Sequence, residues 1–360
     1  ITNVSYFDGL GNLVETASTG SGTSNTIYSF TTYDSKERER MSYCPVPIGD
    51  GLDFKEGEEF MAASQAYYGD AYAFGQKSYD YSDRVVREDI AGKAWHDHGA
   101  HNASSYDVNT VDDKVIRYSE SLAKSYYPAG CLEKETFVDA DGHEVISFKD
   151  LGGNVILERR NQGDTYYIYN SLGQLTYVLS PMYQENEDLA AFAYQYVYDN
   201  HDNLVRKKLP GAENVEYWYD KEDHLVFEQD GQLRAKGLYR FYLYDGLGRI
   251  VVVGTSHGCN THVQNVEVRV SYTSSEGFLS TNYVFSPSNI ANIIDTSDAT
   301  IEKVYYYDRY DFLFRSHQSD FESINPSPKT GVNGLLAGSI VRTSNGQFVF
   351  SVYCYDPKGN

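Results

Sequence analysis

A short motif that recurs along the chain constrains its fold more than any other feature of the sequence. The stretch YRFYLYDGLGRIVVV, residues 239–253, is nearly reproduced by YQYVYDNHDNLVR and by VEYWYDKEDHLVF. A catalytic loop occurs once in a chain, whereas a motif that returns at intervals of roughly 20 to 30 residues is typical of a repeated structural unit. The motif therefore predicts a unit of construction.

Each copy of the motif is anchored on an Asp or Asn. The anchors are Asp8, Asp34, Asp139, Asp150, Asn170, Asp199, Asp220, Asp245, Asp308 and Asp356. Three places later there is usually a glycine: Gly11, Gly142, Gly153, Gly173, Gly248 and Gly359. Elsewhere that third place holds an acid: Glu37, Asp202, Asp223 and Asp311. The fifth place is usually aliphatic: Leu13, Val155, Leu175, Leu204, Leu225, Ile250 and Leu313.

Tyrosines precede the anchor by one and three places in six copies. The pairs are Tyr167 and Tyr169, Tyr196 and Tyr198, Tyr217 and Tyr219, Tyr242 and Tyr244, Tyr305 and Tyr307, and Tyr353 and Tyr355. Residues two apart on a strand leave the same face, so both rings of a pair belong to one side of the incoming strand.

Each position of the motif has a local physical cause. An Asp at the first place of a type I turn accepts backbone N–H groups two residues on. The glycine takes the positive φ that follows such a turn in a hairpin with a bulge, and Asp tolerates that conformation better than most residues. The aliphatic residue opens the returning strand. The motif therefore predicts a β-hairpin.

Successive hairpins are expected to stack on one another. An isolated hairpin is marginal in water, whereas neighbouring hairpins let rings pair across strands and hydroxyl groups find partners. The 34 Tyr and 30 Gly of the 360 residues favour strands and turns over helices. We predict an all-β fold built as an array of antiparallel β-hairpins.

The rhythm of the motif divides the chain into three parts. Residues 1–39 hold the first hairpins, and 131–360 form the main array. Residues 40–130 lose the rhythm and are interpreted as an irregular insertion or an N-terminal subdomain, with a short helical or irregular segment near 50–100. Residue types there favour a helix at about Glu58–Ala66. Further hairpins are predicted between Asp245 and Asp308 and at the Asn345-Gly346 turn.

The Y-D-x-x-G-N/R-L units resemble the YD repeats of the Rhs family of bacterial secreted proteins, which Tc-toxin C components and teneurins share. The segments YFDGLGNLVETAS, DTYYIYNSLGQLTYVLSPM and REDIAGKAWHDHG are similar to the N-terminal part of Rhs-repeat proteins. The resemblance implies a sheet ribbon that spirals into part of a hollow shell, often around a C-terminal toxin domain. It also implies an extracellular or bacterial cell-surface location. Some relatives are credited with carbohydrate binding.

The ends of the chain lead to an expectation about its partners. The first residues read as a strand already under way, and the last, YDPKGN, read as the turn of another repeat that includes Asp356 and Gly359. We expect the intact polypeptide to continue with more repeats and with a C-terminal toxin domain, so that the main partner of the chain is the rest of its own polypeptide.

Charge and hydropathy exclude several classes of partner. A net charge of -21 opposes binding to nucleic acid and to anionic lipid. The sequence has no apolar run near 18 residues, so no membrane insertion is expected. The four cysteines lack the close spacing of zinc or redox motifs, and whether any pair is bridged stays open.

Few residues carry a chemical signal of their own. In AWHDHGAHN, His96 and His98 alternate and would share a face of a strand, which makes them weak metal candidates beside the simpler interpretation of a polar loop. DADGHE, from Asp139 to Glu144, resembles the start of a calcium loop but lacks the later bidentate Glu. We predict no catalytic residue, no resident metal and no cofactor.

The tyrosine rows admit two interpretations. The rings either stack on sugars or hold neighbouring hairpins together, and the second is favoured because their place relative to the turn is fixed. The candidate glycan-stacking residues are Tyr196, Tyr198, Tyr217, Tyr219, Tyr242 and Tyr244. The leading prediction is a structural, non-enzymatic module of a secreted or cell-surface Rhs-type shell that encloses or presents a C-terminal effector. The alternative is a surface carbohydrate-binding or adhesion protein.

Overall fold

The computed structural model describes residues 2–20, 25–275, 277–286, 293–310, 312 and 332–355. Antiparallel strands dominate these residues, and 22 of the described strands belong to one sheet. The predicted all-β array of antiparallel hairpins is confirmed. The chain divides into two compact units, Ile1–Asn170 and Ser171–Asn360.

The first unit contains two helices among its strands. Its elements are β1 (Thr2–Phe7), β2 (Leu13–Thr19), β3 (Ile27–Tyr33), β4 (Glu39–Tyr43), β5 (Val46–Pro47), α1 (Gly57–Tyr68), β6 (Phe74–Tyr79), β7 (Val85–Asp89), α2 (Lys93–Asp97), β8 (His101–Val108), β9 (Ile116–Tyr118), β10 (Lys124–Tyr126), β11 (Glu133–Val138), β12 (Glu144–Lys149), β13 (Val155–Arg160) and β14 (Gly163–Tyr169).

Strand order in the first unit follows the chain, apart from short excursions. β1, β2 and β3 pair in turn, and β3 continues through β4, β6, β7 and β8. β8 then pairs with β11, which is followed by β12, β13 and β14. Every one of these pairings is antiparallel. β9 and β10 form a separate two-stranded sheet.

The helix α1 covers one face of the first strands. Phe60 on α1 is fully buried in a cluster with Ala17, Tyr28 and Tyr43, and its ring stacks on Phe30 at 5.4 Å between centroids. The helix ends where Gly69 adopts φ 62°, the left-handed conformation common at helix C-termini. The predicted short helix in this region is confirmed, and it begins one residue earlier and ends two residues later than predicted.

The loop that precedes α1 is held by side chains from the strands below it. Glu15 on β2 is almost fully buried, and its two carboxylate oxygens accept from the backbone N–H of Lys55 at 3.0 and 3.2 Å. The hydroxyl of Tyr28 on β3 lies 2.9 Å from the carbonyl oxygen of Gly51 and 3.0 Å from that of Asp53. Burial raises the pKa of Glu15. The residues that precede α1 are therefore anchored at several points.

Residues 40–130, expected to be an insertion or subdomain, contain strands of the main sheet. β6 and β7 form a hairpin around Asp80, and β7 pairs with β8. The excursion that carries β9 and β10 is closed at its base by Asn109, whose side-chain oxygen accepts from the backbone N–H of Cys131 at 2.9 Å and of Leu132 at 2.8 Å. Residues 40–130 thus contribute strands to the main sheet and also contain a side loop that carries β9 and β10.

The second unit repeats the plan with short helices in its connections. Its elements are β15 (Leu175–Leu179), α3 (Pro181–Asn186), α4 (Leu189–Phe192), β16 (Ala193–Tyr198), β17 (Leu204–Lys208), β18 (Asn214–Tyr219), β19 (Leu225–Gln229), α5 (Gly231–Ala235), β20 (Tyr239–Tyr244), β21 (Ile250–Ser256), β22 (Val270–Tyr272), a short 3-10 turn (Phe278–Ser280), β23 (Tyr283–Phe285), β24 (Thr300–Tyr307), β25 (Leu336–Arg342) and β26 (Phe348–Val352).

Strands β15 to β21 pair in chain order, and β21 is followed by β24, β25 and β26. The hairpin expected between Asp245 and Asp308 exists as β22 and β23, but it forms a separate two-stranded sheet rather than a further part of the array. The segment around it supplies Val263, Val268 and Ile294 to the buried core, which also contains Phe241 and Leu243 of β20.

Candidate functional site

The acidic anchor closes its own turn. At Asp245, the backbone N–H donates to the carbonyl oxygen of Arg249 at 3.0 Å, and the N–H of Gly248 donates to the carbonyl oxygen of Asp245 at 3.1 Å. Oδ1 of Asp245 accepts from the backbone N–H groups of Leu247 and Arg249 at 2.9 and 3.0 Å. Gly248 has φ 74°, and the strand register shifts by one residue beside Tyr244. The geometry is that of a hairpin with a bulge.

The same two side-chain bonds recur in other turns. In each, Oδ1 of the anchor accepts from the backbone N–H groups two and four residues later, and the anchors that share this arrangement with Asp245 are Asp8, Asp34, Asp80, Asp139, Asp150, Asp199 and Asp220. Asp80 was missed by the sequence analysis, although Tyr79 before it and Val85 after it carry the signal. Gly11, Gly153 and Gly173 have φ 92°, 82° and 80°.

Asn170 is the last residue of the first unit. Asp356 and its glycine, Gly359, lie outside the described residues.

Asp308 anchors a turn whose later places come from much further along the chain. Its N–H donates to the carbonyl oxygen of Leu335 at 3.1 Å, and Oδ1 accepts from the N–H of Gly334 at 2.6 Å. Gly334 has φ 84°, as the third residue of the motif requires. Gly334, Leu335 and Leu336 therefore fill the third, fourth and fifth places. Asp311 and Leu313, which were expected there, lie outside the described residues.

The tyrosine that precedes the anchor bonds to the hairpin before its own. The hydroxyl of Tyr244 donates to the carbonyl oxygen of Leu225 at 2.9 Å, and Leu225 is the fifth-place residue of the Asp220 turn. We call this bond the tyrosine staple. The other staples join Tyr33 to Leu13, Tyr79 to Glu39, Tyr106 to Val85, Tyr169 to Val155, Tyr198 to Leu175, Tyr219 to Leu204, and Tyr355 to Leu336, at 2.7 to 3.2 Å.

The staple lies where the backbone ladder between two hairpins ends. β19 and β20 are paired at Glu228 with Arg240 and at Phe227 with Phe241, and the recorded ladder stops there on the side of the turns. Beyond that point the carbonyl of Leu225 receives the hydroxyl of Tyr244 instead of a backbone N–H. A carbonyl oxygen that is removed from water without a hydrogen-bond donor destabilises the fold. The staple gives the carbonyl oxygen of Leu225 a donor at the point where β19 and β20 separate.

The staple buries the tyrosine ring. Tyr244 is 7% exposed, and burial raises the pKa of its hydroxyl to about 12. The hydroxyl of Tyr242 donates to a carboxylate oxygen of Glu228 at 2.6 Å. Among the six candidate glycan-stacking tyrosines, none is exposed: Tyr244 is buried, and Tyr196, Tyr198, Tyr217, Tyr219 and Tyr242 are half-buried. Their surroundings are those of packed rings.

A second set of contacts joins neighbouring turns. Where the third place is an Asp, its carboxylate accepts from the fourth-place side chain of the turn before it. Oδ1 of Asp202 accepts from Nε2 of Gln174 at 2.9 Å, and Oδ1 of Asp223 accepts from Nδ2 of Asn203 at 2.8 Å. The same relation joins Asp83 to Arg38 at 2.5 Å. The acid at the third place thus tolerates the positive φ and also has a partner.

Where the third place is Gly248, the preceding turn presents a ring. His224 stacks on Tyr244 with 4.6 Å between centroids, and a Cβ added at Gly248 would lie 3.0 Å from Nε2 of His224. No side chain fits there without displacing the imidazole. The choice between Gly and Asp at this place therefore depends on the neighbouring turn.

Arg249, the fourth residue of the Asp245 turn, links that turn to the turn at Asp308. Its Nε donates to Oδ2 of Asp245 at 2.8 Å, and its terminal nitrogen lies 2.5 Å from Oδ2 of Asp308. The guanidinium also sits 4.4 Å from the ring centroid of Tyr307. The hydrogen bonds from Arg249 lower the pKa of Asp308.

The structure separates the candidate metal residues. His96 lies in α2 and stacks on Tyr72 at 3.5 Å between centroids, whereas Nδ1 of His98 bonds to the carbonyl oxygen of Ala94 at 2.7 Å. They do not share the face of a strand. Among the described residues, one group has metal-ligand spacing: Asp139, Asp141 and His143. There the carboxylate of Asp139 is already bonded within its own turn, at Oδ1 to two backbone N–H groups and at Oδ2 to the imidazole of His143.

The four cysteines, Cys44, Cys131, Cys259 and Cys354, are free thiols. Within the described ranges, no helix combines the length and the apolar character needed to cross a membrane.

Comparison with known proteins gives one family match and several distant likenesses of fold. A family described as a domain of unknown function, DUF6443, matches residues 1–109. No curated protein matches the sequence.

Three of the similar solved structures contain TccC3. They are a crystal structure of TcdB2-TccC3-TEV (TM-score 0.48), a crystal structure of TcdB2-TccC3-Cdc42 (0.41) and a Photorhabdus luminescens Tc holotoxin pore with a TccC3 mutation (0.43). Each is 13% identical over 99% of this chain, which spans 15%, 19% and 19% of those chains. A likeness this distant does not assign a function.

Proposed function

We propose that the chain is a structural, non-enzymatic module of a secreted or cell-surface shell of the Rhs type. In this proposal, the hairpin array forms part of the shell, and the shell encloses or presents an effector that belongs to the same polypeptide. The observation that carries the proposal is the tyrosine staple, which occurs eight times in the described residues and each time joins a hairpin to the one before it.

The staple supports a structural role because it uses the polar group of the most characteristic side chain for internal bonding. A ring that served a ligand would keep its hydroxyl and face accessible. Here the hydroxyl of Tyr198 donates to Leu175 and that of Tyr219 to Leu204. Where the backbone ladder, the staple and the contact between turns occur together, as at Tyr219 and Asp223, a hairpin has three kinds of connection with its neighbour. Nearest-neighbour connections of this kind are what an extended array needs.

The acidic surface is consistent with an exposed shell segment. A net charge of -21 keeps such a segment soluble and repels nucleic acid and anionic lipid. The anchor carboxylates, which supply part of that charge, are bonded within their own turns. In this proposal, the hydroxyl groups of the repeat tyrosines and the carboxylates of the anchors therefore serve to hold the fold together.

The test compares the product of the complete reading frame with the same product carrying Tyr219→Phe and Tyr244→Phe together. Limited proteolysis follows the region beyond residue 360, and electron microscopy follows the particle. We expect that region to resist protease in the unaltered product and to become accessible when the two staples are removed. The matched control is Tyr81→Phe, an exposed ring at a turn.

Two results would overturn the proposal. One is that protease cleaves the region beyond residue 360 as fast in the unaltered product as when that region is prepared as a separate fragment. The other is saturable glycan binding by this chain that Tyr217→Ala abolishes without lowering its melting temperature, which would favour the carbohydrate-binding alternative.

A further inference from the structure

A groove opens where β17 and β18 separate. Their recorded ladder stops at the pair of Arg206 and Glu216, and between that pair and the turns there is a cavity of about 470 Å³. Val197, Val205 and Trp218 supply apolar lining, and the rings of Tyr217 and Tyr219 also line the groove. Val197 is 45% exposed, so this lining is open to solvent.

The polar lining of the groove is acidic. Four carboxylates line it, those of Asp199, Glu216, Asp220 and Asp223, and Arg206 is the one Lys or Arg among the lining residues. Low-dielectric surroundings and several charges of one sign raise the local concentration of the opposite charge. The groove is therefore complementary to a cation rather than to a neutral or acidic group.

Two of the carboxylates have weak or incomplete pairing. Glu216 lies 3.4 Å from Arg206 and 3.4 Å from Arg234, longer than a close charge-assisted hydrogen bond. The side chain of Asp223 is 47% exposed, and its recorded partners, Asn203 and His201, both approach Oδ1. Oδ2 of Asp223 thus leaves room for a further cation, and at Glu216 a cation would compete with two long contacts.

We propose that this groove binds a basic side chain of a partner peptide. The aliphatic stem would lie against Val197 and Trp218, and the charged end beside the carboxylates of Asp223 and Glu216. An indole ring is the aromatic surface that attracts cations most strongly, and a long basic side chain buries its stem while its charge stays near water. In the free protein, Arg206 lies beside the carboxylate of Glu216 and would compete with the bound side chain for it.

The chain carries its own reporter for this binding. It has two tryptophans, so Trp95→Phe leaves Trp218 as the single tryptophan, and Trp218→Phe leaves Trp95 in the first unit as the control. The probe is a blocked tripeptide with a central lysine, and the matched probe replaces that lysine with norleucine. We expect a saturable change in Trp218 emission with the lysine peptide alone, weakened by salt because the carboxylates are partly exposed.

Two substitutions in the groove should change the affinity in opposite directions. Asp223→Asn should weaken binding roughly two- to fivefold, the effect of one exposed ion pair, and Arg206→Gln should strengthen it by a similar factor. Asp112→Asn makes the same charge change in the first unit and should leave the affinity unchanged. Thermal melts establish that each variant is folded.

Three outcomes would overturn the proposal. The first is an equal response to the norleucine peptide, which would indicate an apolar groove. The second is an affinity that Asp223→Asn and Asp112→Asn change equally, which would indicate attraction to the net charge of the chain. The third is a saturable Trp218 response to chitotriose with none to the lysine peptide, which would assign the groove to glycans.

Discussion

The hydroxyl of Tyr244 donates to the carbonyl oxygen of Leu225, 19 residues earlier and in the preceding hairpin. Its neighbour Asp245 instead bonds to the backbone of its own turn. The two residues of the Y-D pair thus have different tasks: the acid closes a hairpin, and the tyrosine attaches that hairpin to the one before it. A motif that looks local in the sequence therefore spans two structural units.

Removing one buried staple should destabilise the second unit. Tyr244→Phe keeps the ring but leaves the carbonyl of Leu225 without its donor, and we expect the free energy of unfolding to fall by about 1 to 2 kcal/mol. Urea denaturation measures the loss. Tyr81→Phe removes the hydroxyl of a fully exposed ring and should cost nothing measurable. Equal losses in the two variants would contradict the staple.

Two glycines in equivalent turns should differ in their tolerance of a methyl group. Gly173→Ala, with φ 80° and no atom within 4 Å of the added Cβ, should cost about 1 kcal/mol for the left-handed conformation alone. Gly248→Ala meets the imidazole of His224 as well and should cost about 2 to 3 kcal/mol. Thermal melts compare them. In a His224→Ala background, the additional cost of Gly248→Ala over Gly173→Ala should disappear. If it persists, His224 is not the source of the strain.

The turn at Asp34 should show a distinct dependence on pH. Hydrogen bonds from the side chain of Arg38 lower the pKa of Asp34 from 3.8 to about 2. Because the folded pKa lies below the unfolded one, the stabilisation is complete above about pH 4 and is lost as the pH falls toward 2. Asp34→Asn and Arg38→Gln should each flatten the decline in the free energy of unfolding over that window. If either variant loses stability as steeply as the unaltered protein, the contact between Asp34 and Arg38 is not the cause of the decline.

The buried carboxylate of Glu15 should be replaceable by an amide but not by a methyl group. Burial raises the pKa of Glu15, so the folded state binds its proton more tightly than the unfolded state, and the charged form opposes folding at neutral pH. Glu15→Gln still accepts from the N–H of Lys55, and we expect equal or greater stability at pH 7. Glu15→Ala leaves that N–H unpaired and should cost about 1 to 3 kcal/mol.

The comparison of the two variants across pH provides the check on Glu15. The advantage of Glu15→Gln over the unaltered protein should shrink as the pH falls through the raised pKa of Glu15, because the carboxylic acid then becomes neutral in the folded state. If the stability advantage of Glu15→Gln instead grew as the pH falls, the raised pKa of Glu15 would be contradicted.

The hairpin array was predictable from the sequence because its causes are local. An Asp and the backbone groups two to four residues later are always near each other, and two tyrosines two places apart on a strand share a face whatever the rest of the chain does. The helix before Gly69 follows from residue types in the same way. These features depend on a few neighbouring residues.

Other features could not be read from the sequence because they depend on distant residues. The acceptor of the Tyr244 hydroxyl follows from the register between hairpins, which no short motif encodes. At Asp308, the following residues imitate the motif with Asp311, yet Gly334 occupies the third place of the turn. The turn at Asp80 differs from these features, because its signal is local: Tyr79 precedes the anchor and Val85 stands at the fifth place.

The staple has a direction, which matters while the chain is being synthesised. In every described case the accepting carbonyl precedes the donating tyrosine, by 14 to 40 residues. As the nascent polypeptide leaves the ribosome, each new incoming strand finds its acceptor already exposed on the hairpin completed before it. Contacts of such short sequence separation form quickly. The array is therefore suited to vectorial, cotranslational assembly, one hairpin at a time, from its N-terminal end.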